Sequence, residues 1–255
     1  MKILDIEKEP FHKLKYHSSG PKRTIAKCIL NFYKVKVDVL PEGVTSMVVS
    51  SDLQGREDGQ ANRLVGEYVV DELMTLQEQG LISHVDLVIL AGDLYDYPDC
   101  RKRGGSGDVT SVWNAFATNF DNVIGVHGNH DMVNENELLS NVTILDGNVI
   151  RYKDIKIGGV SGIIGKVTRN QRKSHEQFEH ELSNIISKKC DIVVLHAGPD
   201  DPENNQRGEP MVRHQLENTN TGLVIFGHCF WGIPQIPIGT NQVLNVDSKV
   251  FIFEK

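Results

Sequence analysis

The chain of 255 residues lacks any apolar run of the roughly 20 residues that a membrane-spanning helix needs. Its opening, MKILDIEKEP, holds no apolar core of a secretory signal. The four cysteines, Cys28, Cys100, Cys190 and Cys229, stand far apart with no CxxC pair. That spacing argues against a thiolate zinc framework and for reduced thiols, and so for a cytoplasmic protein. Positive charge is not in surplus either. The net charge of −7 disfavours a polyanion such as nucleic acid as partner. Gly104-Gly105-Ser106-Gly107 is not followed by the Lys and Ser/Thr of a phosphate-binding loop, and no G-x-G-x-x-G follows a strand. A G-x-S-x-G nucleophile turn is absent as well. These gaps lower a nucleotide switch, a kinase and a serine hydrolase.

What is present is ordinary globular composition, 39% hydrophobic and 24% charged. Residues 1–45 read as an N-terminal extension with a strand in Lys34–Val39, and residues 46–255 as the main domain. From residue 46 the rhythm is strand, loop, helix. Apolar residues at Ala61, Val65, Val69, Leu73 and Leu76 predict a helix over 61–79, stopped by Gly80. Further helices are expected over 112–119 and 172–187. Turn signals predict hairpins within 142–164 and a closing hairpin over 243–253. A mixed α/β domain fits this order. The basic, glycine-rich segment Asp99–Asp108 reads as a solvated loop in preference to a substrate-gripping lid.

The informative pattern is positional. MVVSSDLQ delivers Asp52 and Gln54, LVILAGDLYD delivers Asp93 and Asp96, and VIGVHGNHD delivers Asn129, His130 and Asp131. IVVLHAG delivers His196 and LVIFGHCF delivers His228. In open α/β sheets ligands gather beyond the carboxyl ends of strands, so residues far apart in sequence can converge there. Carboxylate, amide carbonyl and imidazole together suit a divalent ion such as manganese, iron or zinc. Taken singly, an Asp after a strand is usually a turn or cap residue. The ordered set is what carries weight.

These residues resemble the calcineurin-like metallophosphoesterase superfamily, whose ordered signature is D-x-H, G-D-x-x-D, G-N-H-D, a lone H and G-H-x-H. The matching segments are Asp52-Leu53-Gln54, Gly92-Asp93-Leu94-Tyr95-Asp96, Gly128-Asn129-His130-Asp131, His196 and Gly227-His228-Cys229-Phe230. The resemblance implies two mixed β-sheets packed as a sandwich and flanked by helices, a four-layer architecture. It implies that Asp93 bridges two cations, that Asn129, His196 and His228 complete a tight position, and that Asp52 and Gln54 serve a weaker one. His130 would give a proton to the leaving oxygen, with Asp131 orienting it. Gln54 and Phe230 stand where the family has histidines, and Phe230 has no lone pair to offer. Manganese is the first-choice metal, with iron or zinc next. The implied function is metal-dependent hydrolysis of a phosphodiester, phosphomonoester or nucleotide diphosphate bond in a small phosphorylated substrate. The alternative is a weakened or inactive phosphoesterase fold that serves as a binding scaffold for a protein partner. Arg56, Arg101, Arg103 and Arg207 are candidates to hold phosphate, because guanidinium matches its oxygens. Cys229 reads as a packing residue and His127 as a structural histidine behind the site.

Overall fold

In the computed structural model, which describes residues 1–255, period-two alternation sorts the strand Ser46–Ser51 into two cores. Val48 packs in one apolar cluster, whereas Met47 and Val49 pack in another. The split repeats in Val85–Leu90, where Val88 and Leu90 face one way and Leu87 and Ile89 the other. It repeats again in Lys249–Glu254, with Val250 and Ile252 set against Phe251 and Phe253. Burial on both faces is why these strands read as unbroken apolar runs.

Two mixed sheets result. The first has nine strands, ordered Val142–Ile144, Asn122–Gly125, Val85–Leu90, Ser46–Ser51, Lys249–Glu254, Ile25–Val37, His12–Ser19 and Arg56–Glu57, with Ile3–Ile6 also pairing to Ile25–Val37. The second has six, ordered Asn148–Tyr152, Ile155–Val160, Ile192–Ala197, Leu223–Gly227, Asn241–Asn245 and Gln235–Ile238. Helices α1 (Val65–Glu78) and α2 (Thr110–Asn119) cover the outer face of the first sheet through Val69, Leu73, Trp113 and Phe116. Helices α3 (His175–Ser187) and α4 (Pro210–Glu217) cover the second through Phe178, Leu182, Val212 and Leu216. The middle cluster joins the two sheets, and the order is helix, sheet, sheet, helix. No helix is long and apolar enough to cross a membrane.

Several expectations need correction. Residues 1–45, read with one strand, contribute three, and Ile25–Val37 runs parallel to Lys249–Glu254. Val142–Ile144 is not part of a hairpin but pairs in parallel with Asn122–Gly125, so only Asn148–Val160 folds back on itself. The expected closing hairpin over 243–253 is also absent. Asn241–Asn245 lies in the second sheet and Lys249–Glu254 in the first, so the chain crosses between sheets at 246–248. Helix α1 starts at Val65 rather than Ala61, because Arg56 is bridged to Leu64 and the Glu67 carboxylate accepts from Leu64 N–H at 3.0 Å. Helix α3 starts after Ser174, whose hydroxyl accepts from Gln177 N–H at 3.1 Å. Helix α4 is short, and its 8 residues bury only Val212 and Leu216, one turn apart, too brief a stripe to stand out in the sequence.

Candidate metal centre

Three neighbouring parallel strands of the first sheet, Ser46–Ser51, Val85–Leu90 and Asn122–Gly125, lead into Asp52, Asp93 and Asn129–Asp131. In the second sheet, the parallel neighbours Ile192–Ala197 and Leu223–Gly227 carry His196 and lead into His228. The ends meet where the two sheets adjoin. Asp52 Oδ2 accepts from His228 N–H at 2.9 Å, which ties one sheet to the other. Asp52, Asp93 and His228 have φ of 53°, 56° and 67°, a left-handed conformation that costs a non-glycine residue about 1–3 kcal/mol.

The glycines before these residues act in two ways. Gly92 has φ of +89°, which a side chain would strain. Gly128 is instead a close-approach residue, because a Cβ there would lie 2.1 Å from Asp93 N and Oδ1. Gly128→Ala should therefore push the two loops apart and cost about 1–3 kcal/mol, as overpacking does. Urea unfolding measures this, and an unchanged midpoint would show that the loops part freely.

Asp93, His196 and His228 each present one ligand atom within 4.8 Å of the others. His196 Nδ1 lies 2.7 Å from the Ala91 carbonyl, so it carries the proton and leaves the Nε2 lone pair facing inward. That Nε2 is fully buried, has no hydrogen-bond partner and sits 3.4 Å from Asp93 Oδ2. Burial disfavours charge on His196, yet the Asp93 carboxylate carries the imidazole up to about 10. Burial and then the charge of His196 push His228 down to about 4. A site that draws a proton so strongly onto one imidazole while keeping the other neutral is suited to a cation that takes the proton's place. Asn129 Oδ1 is a second buried atom without a partner, on the loop whose His130 N–H donates to Asp93 Oδ1 at 2.9 Å. These orphaned donors fit a borderline divalent ion.

Asp52 and Gln54 line the same cleft, of about 570 Å³. Gln54 Nε2 donates to Asp93 Oδ2 at 3.3 Å. Burial, then the neighbouring Asp247, holds the Asp52 carboxyl well above the ordinary range. Asp247 is a cleft residue that sequence reasoning misses, because it reads as part of a turn. It is buried, lies on the crossover between sheets and lines the cleft. A signal for it exists, because VLNVDS repeats the apolar-run-then-Asp pattern of the other ligand loops. Phe230 also lines this cleft, 61% exposed. Cys229 is half-buried, and its thiol is raised by burial.

His130 lines the cleft with its side chain 18% exposed, and Nε2 lies 3.9 Å from Asp93 Oδ2. The orienting role implied for Asp131 is not what the structure contains. Its Oδ2 accepts from Asp93 N–H and Gly128 N–H, both at 2.8 Å, and Oδ1 accepts from Leu94 N–H at 2.7 Å. No hydrogen bond joins it to the His130 ring, whose Nδ1 has no partner. Asp131 is a clamp holding the two ligand loops together. Burial and then Asp93 push its carboxyl up to about 6.

Of the four arginines, Arg103 and Arg207 line the cleft. Arg56 does not. Its Nε and Nη2 donate to the Asp96 carbonyl at 3.1 and 2.6 Å, and Nη1 to the Asn62 carbonyl at 3.2 Å, so its donors serve the backbone. Arg101 is exposed and outside the cleft wall. The Asp96 carboxylate is likewise engaged elsewhere. It accepts from Ser19 N–H at 2.9 Å and Ser19 Oγ–H at 2.6 Å, which anchors the N-terminal hairpin beside the site. His127 is buried, with its ring edge-on to Trp113 at 6.5 Å. The 99–108 segment is not simply solvated. Gly105 is buried, Gly107–Asp108 pairs with Asp131–Met132, and Gly104 lies against His130.

The family model described as calcineurin-like phosphoesterase matches residues 46–229. No curated protein matches the chain. Among solved structures, TT1561 of Thermus thermophilus superposes with a TM-score of 0.57 at 16% identity, over 79% of this chain and 88% of that one. The phosphopantetheinyl hydrolase PptH from Mycobacterium tuberculosis gives 0.48 at 13% identity, over 80% of this chain and 89% of that one.

Proposed function

Because the chain belongs to the calcineurin-like phosphoesterase family, we propose that it is a metal-dependent hydrolase acting on a small phosphoester, with one strong and one weak metal position. The observation that carries this reading is the Asp93–His196–His228 cluster with the buried, unpartnered Nε2 of His196. Asp93, Asn129, His196 and His228 would hold the strong position, and Asp52 and Gln54, with Asp93, the weak one. A divalent cation there would act as a Lewis acid toward a phosphoryl oxygen and acidify water. Manganese suits the oxygen and imidazole donors best, with iron or zinc as competitors.

The chain's own residues supply the rest. His130, at the cleft wall, donates a proton to the departing oxygen. Arg103 and Arg207 meet the remaining phosphate oxygens. Asp131 acts through the backbone by fixing the Asp93 and Gly128 loops. The substrate is a phosphodiester, a phosphomonoester or a nucleotide diphosphate. The free cysteines support a reducing, cytoplasmic setting. The test is turnover of bis(4-nitrophenyl) phosphate, 4-nitrophenyl phosphate and ADP by the wild-type protein with manganese; no turnover of any of the three with manganese, iron or zinc would overturn the hydrolase reading.

A binding scaffold is the second reading, favoured by the apolar Phe230 exposed at the cleft. The two readings diverge at that residue. Phe230→His should strengthen the weak metal position about tenfold, in line with the ≥10-fold scale on which metal sites respond to changes around their ligands. Manganese titration calorimetry measures it; identical stoichiometry and affinity in wild type and variant would remove Phe230 from that position.

A further inference from the structure

A second cavity, of about 490 Å³, adjoins the cleft, with Phe230 and Ser248 in both walls. Part of its lining is apolar, with Ile29, Tyr33, Phe230 and Phe251 contributing. Tyr33 and Phe251 already stack on each other at 5.5 Å and 28°. Glu7 and Lys8 bring opposite charges to it, but both are exposed. Lys249 differs from them, being only 7% exposed. Its Nζ donates one hydrogen bond, to the Asp247 carbonyl at 3.0 Å, and stands 4.0 Å from the centre of the Phe230 ring. It does not figure among the chain's salt bridges. An ammonium has three donors, and Lys249 spends only one, on a carbonyl; the Asp247 and Asp52 carboxylates act on its charge but form no ion pair with it. The cavity therefore joins aromatic walls to an underused cation, next to the site where a phosphoryl group would sit.

We infer that this cavity binds the leaving-group portion of the substrate, a flat apolar ring carrying an anionic group, with the ring against Phe230 and Tyr33 and the anion on Lys249. The role as a substrate pocket rests on the phosphoesterase reading; binding by the cavity does not. The phosphoryl group lies in the metal cleft, and Phe230 is the wall across which the two parts of one molecule are connected. On this view the aromatic residue that removes a metal ligand supplies a stacking surface instead.

The full-length protein, kept in EDTA so that no turnover is involved, is titrated calorimetrically with 2-naphthoate and with the neutral 2-naphthalenemethanol. The expected result is one saturable site that prefers the carboxylate about tenfold, the scale of one charge-assisted hydrogen bond. Lys249→Met should abolish that preference. Gly232→Phe should weaken both ligands at least tenfold, since Gly232 lines the cavity and a Cβ built on it meets nothing within 4 Å. Thermal melting of both variants checks that each is folded, and the glycine variant stands in should the lysine variant melt early. Absence of saturable naphthoate binding to the wild type overturns the inference, as does an affinity unchanged in folded Gly232→Phe protein. Naphthoate binding by a protein that hydrolyses no phosphoester would preserve the cavity and overturn only the hydrolase reading.

Discussion

Asp93→Asn should abolish turnover and weaken divalent-metal binding by at least about 100-fold, since losing a group one step removed from a ligand already costs 10–100-fold. The change is nearly isosteric, so the fold is spared. Asn keeps an oxygen that can still accept from His130 N–H, as Asp93 Oδ1 does at 2.9 Å. What disappears is the charge. Asp93 is 3% exposed, and burial alone would raise its carboxyl, yet the neighbouring His196 holds it down at about 2. Without that anion, only Asp52 and Asp247 remain in the cleft to offset a cation beside His196 and His228, and burial favours the neutral form of both carboxyls. Calorimetric titration with manganese, alongside phosphodiester hydrolysis, tests this. Affinity within a few-fold of wild type would mean that the cluster is not the metal centre.

His130→Ala separates the chemistry from the metal. The ring lies at the cleft with Nε2 3.9 Å from Asp93 Oδ2, and its backbone rather than its ring is tied to Asp93. Removing the ring leaves the ligand loops in place. Metal affinity should hold, while kcat falls by about 10²–10⁴ for an alkyl phosphoester, the usual contribution of a general acid. The loss should shrink for a 4-nitrophenyl ester, whose leaving oxygen needs no proton. An equal loss for both leaving groups would take the proton-donor role away from His130 and leave it a positioning group.

The strands, the helical stripes and the ligand loops were legible because each is encoded locally. Apolar runs such as MVV and LVIL have two buried faces, and a candidate ligand follows each just beyond the end of its strand. Pairing across long separations was not legible. Nothing within residues 243–253 tells that Leu244 and Phe251 belong to different sheets, because a crossover and a hairpin both need a short polar turn. The direction in which a side chain turns was not legible either. Asp131 sits beside His130 in sequence, but its carboxylate turns back to three backbone amides of neighbouring loops. Arg56 offered a guanidinium, and its local backbone consumed it. Lys249 carries no signal in the sequence; its burial and the Phe230 ring centre 4.0 Å from its Nζ appear only in the packing.

The partnership between Ile25–Val37 and Lys249–Glu254 has a practical consequence. A fragment trimmed to begin at residue 46 would strip the cover from one side of KVFIFE, leaving a row of unsatisfied amides and carbonyls alongside Val250, Ile252 and two phenylalanines. Such a bare flank is a template on which a second molecule can lay its own strand. The same cut would remove Ser18 and Ser19 from Asp96 and with them one wall of the cleft. The first 45 residues thus cover a strand flank and supply part of the cleft wall, so a trimmed fragment should aggregate more readily than the whole chain.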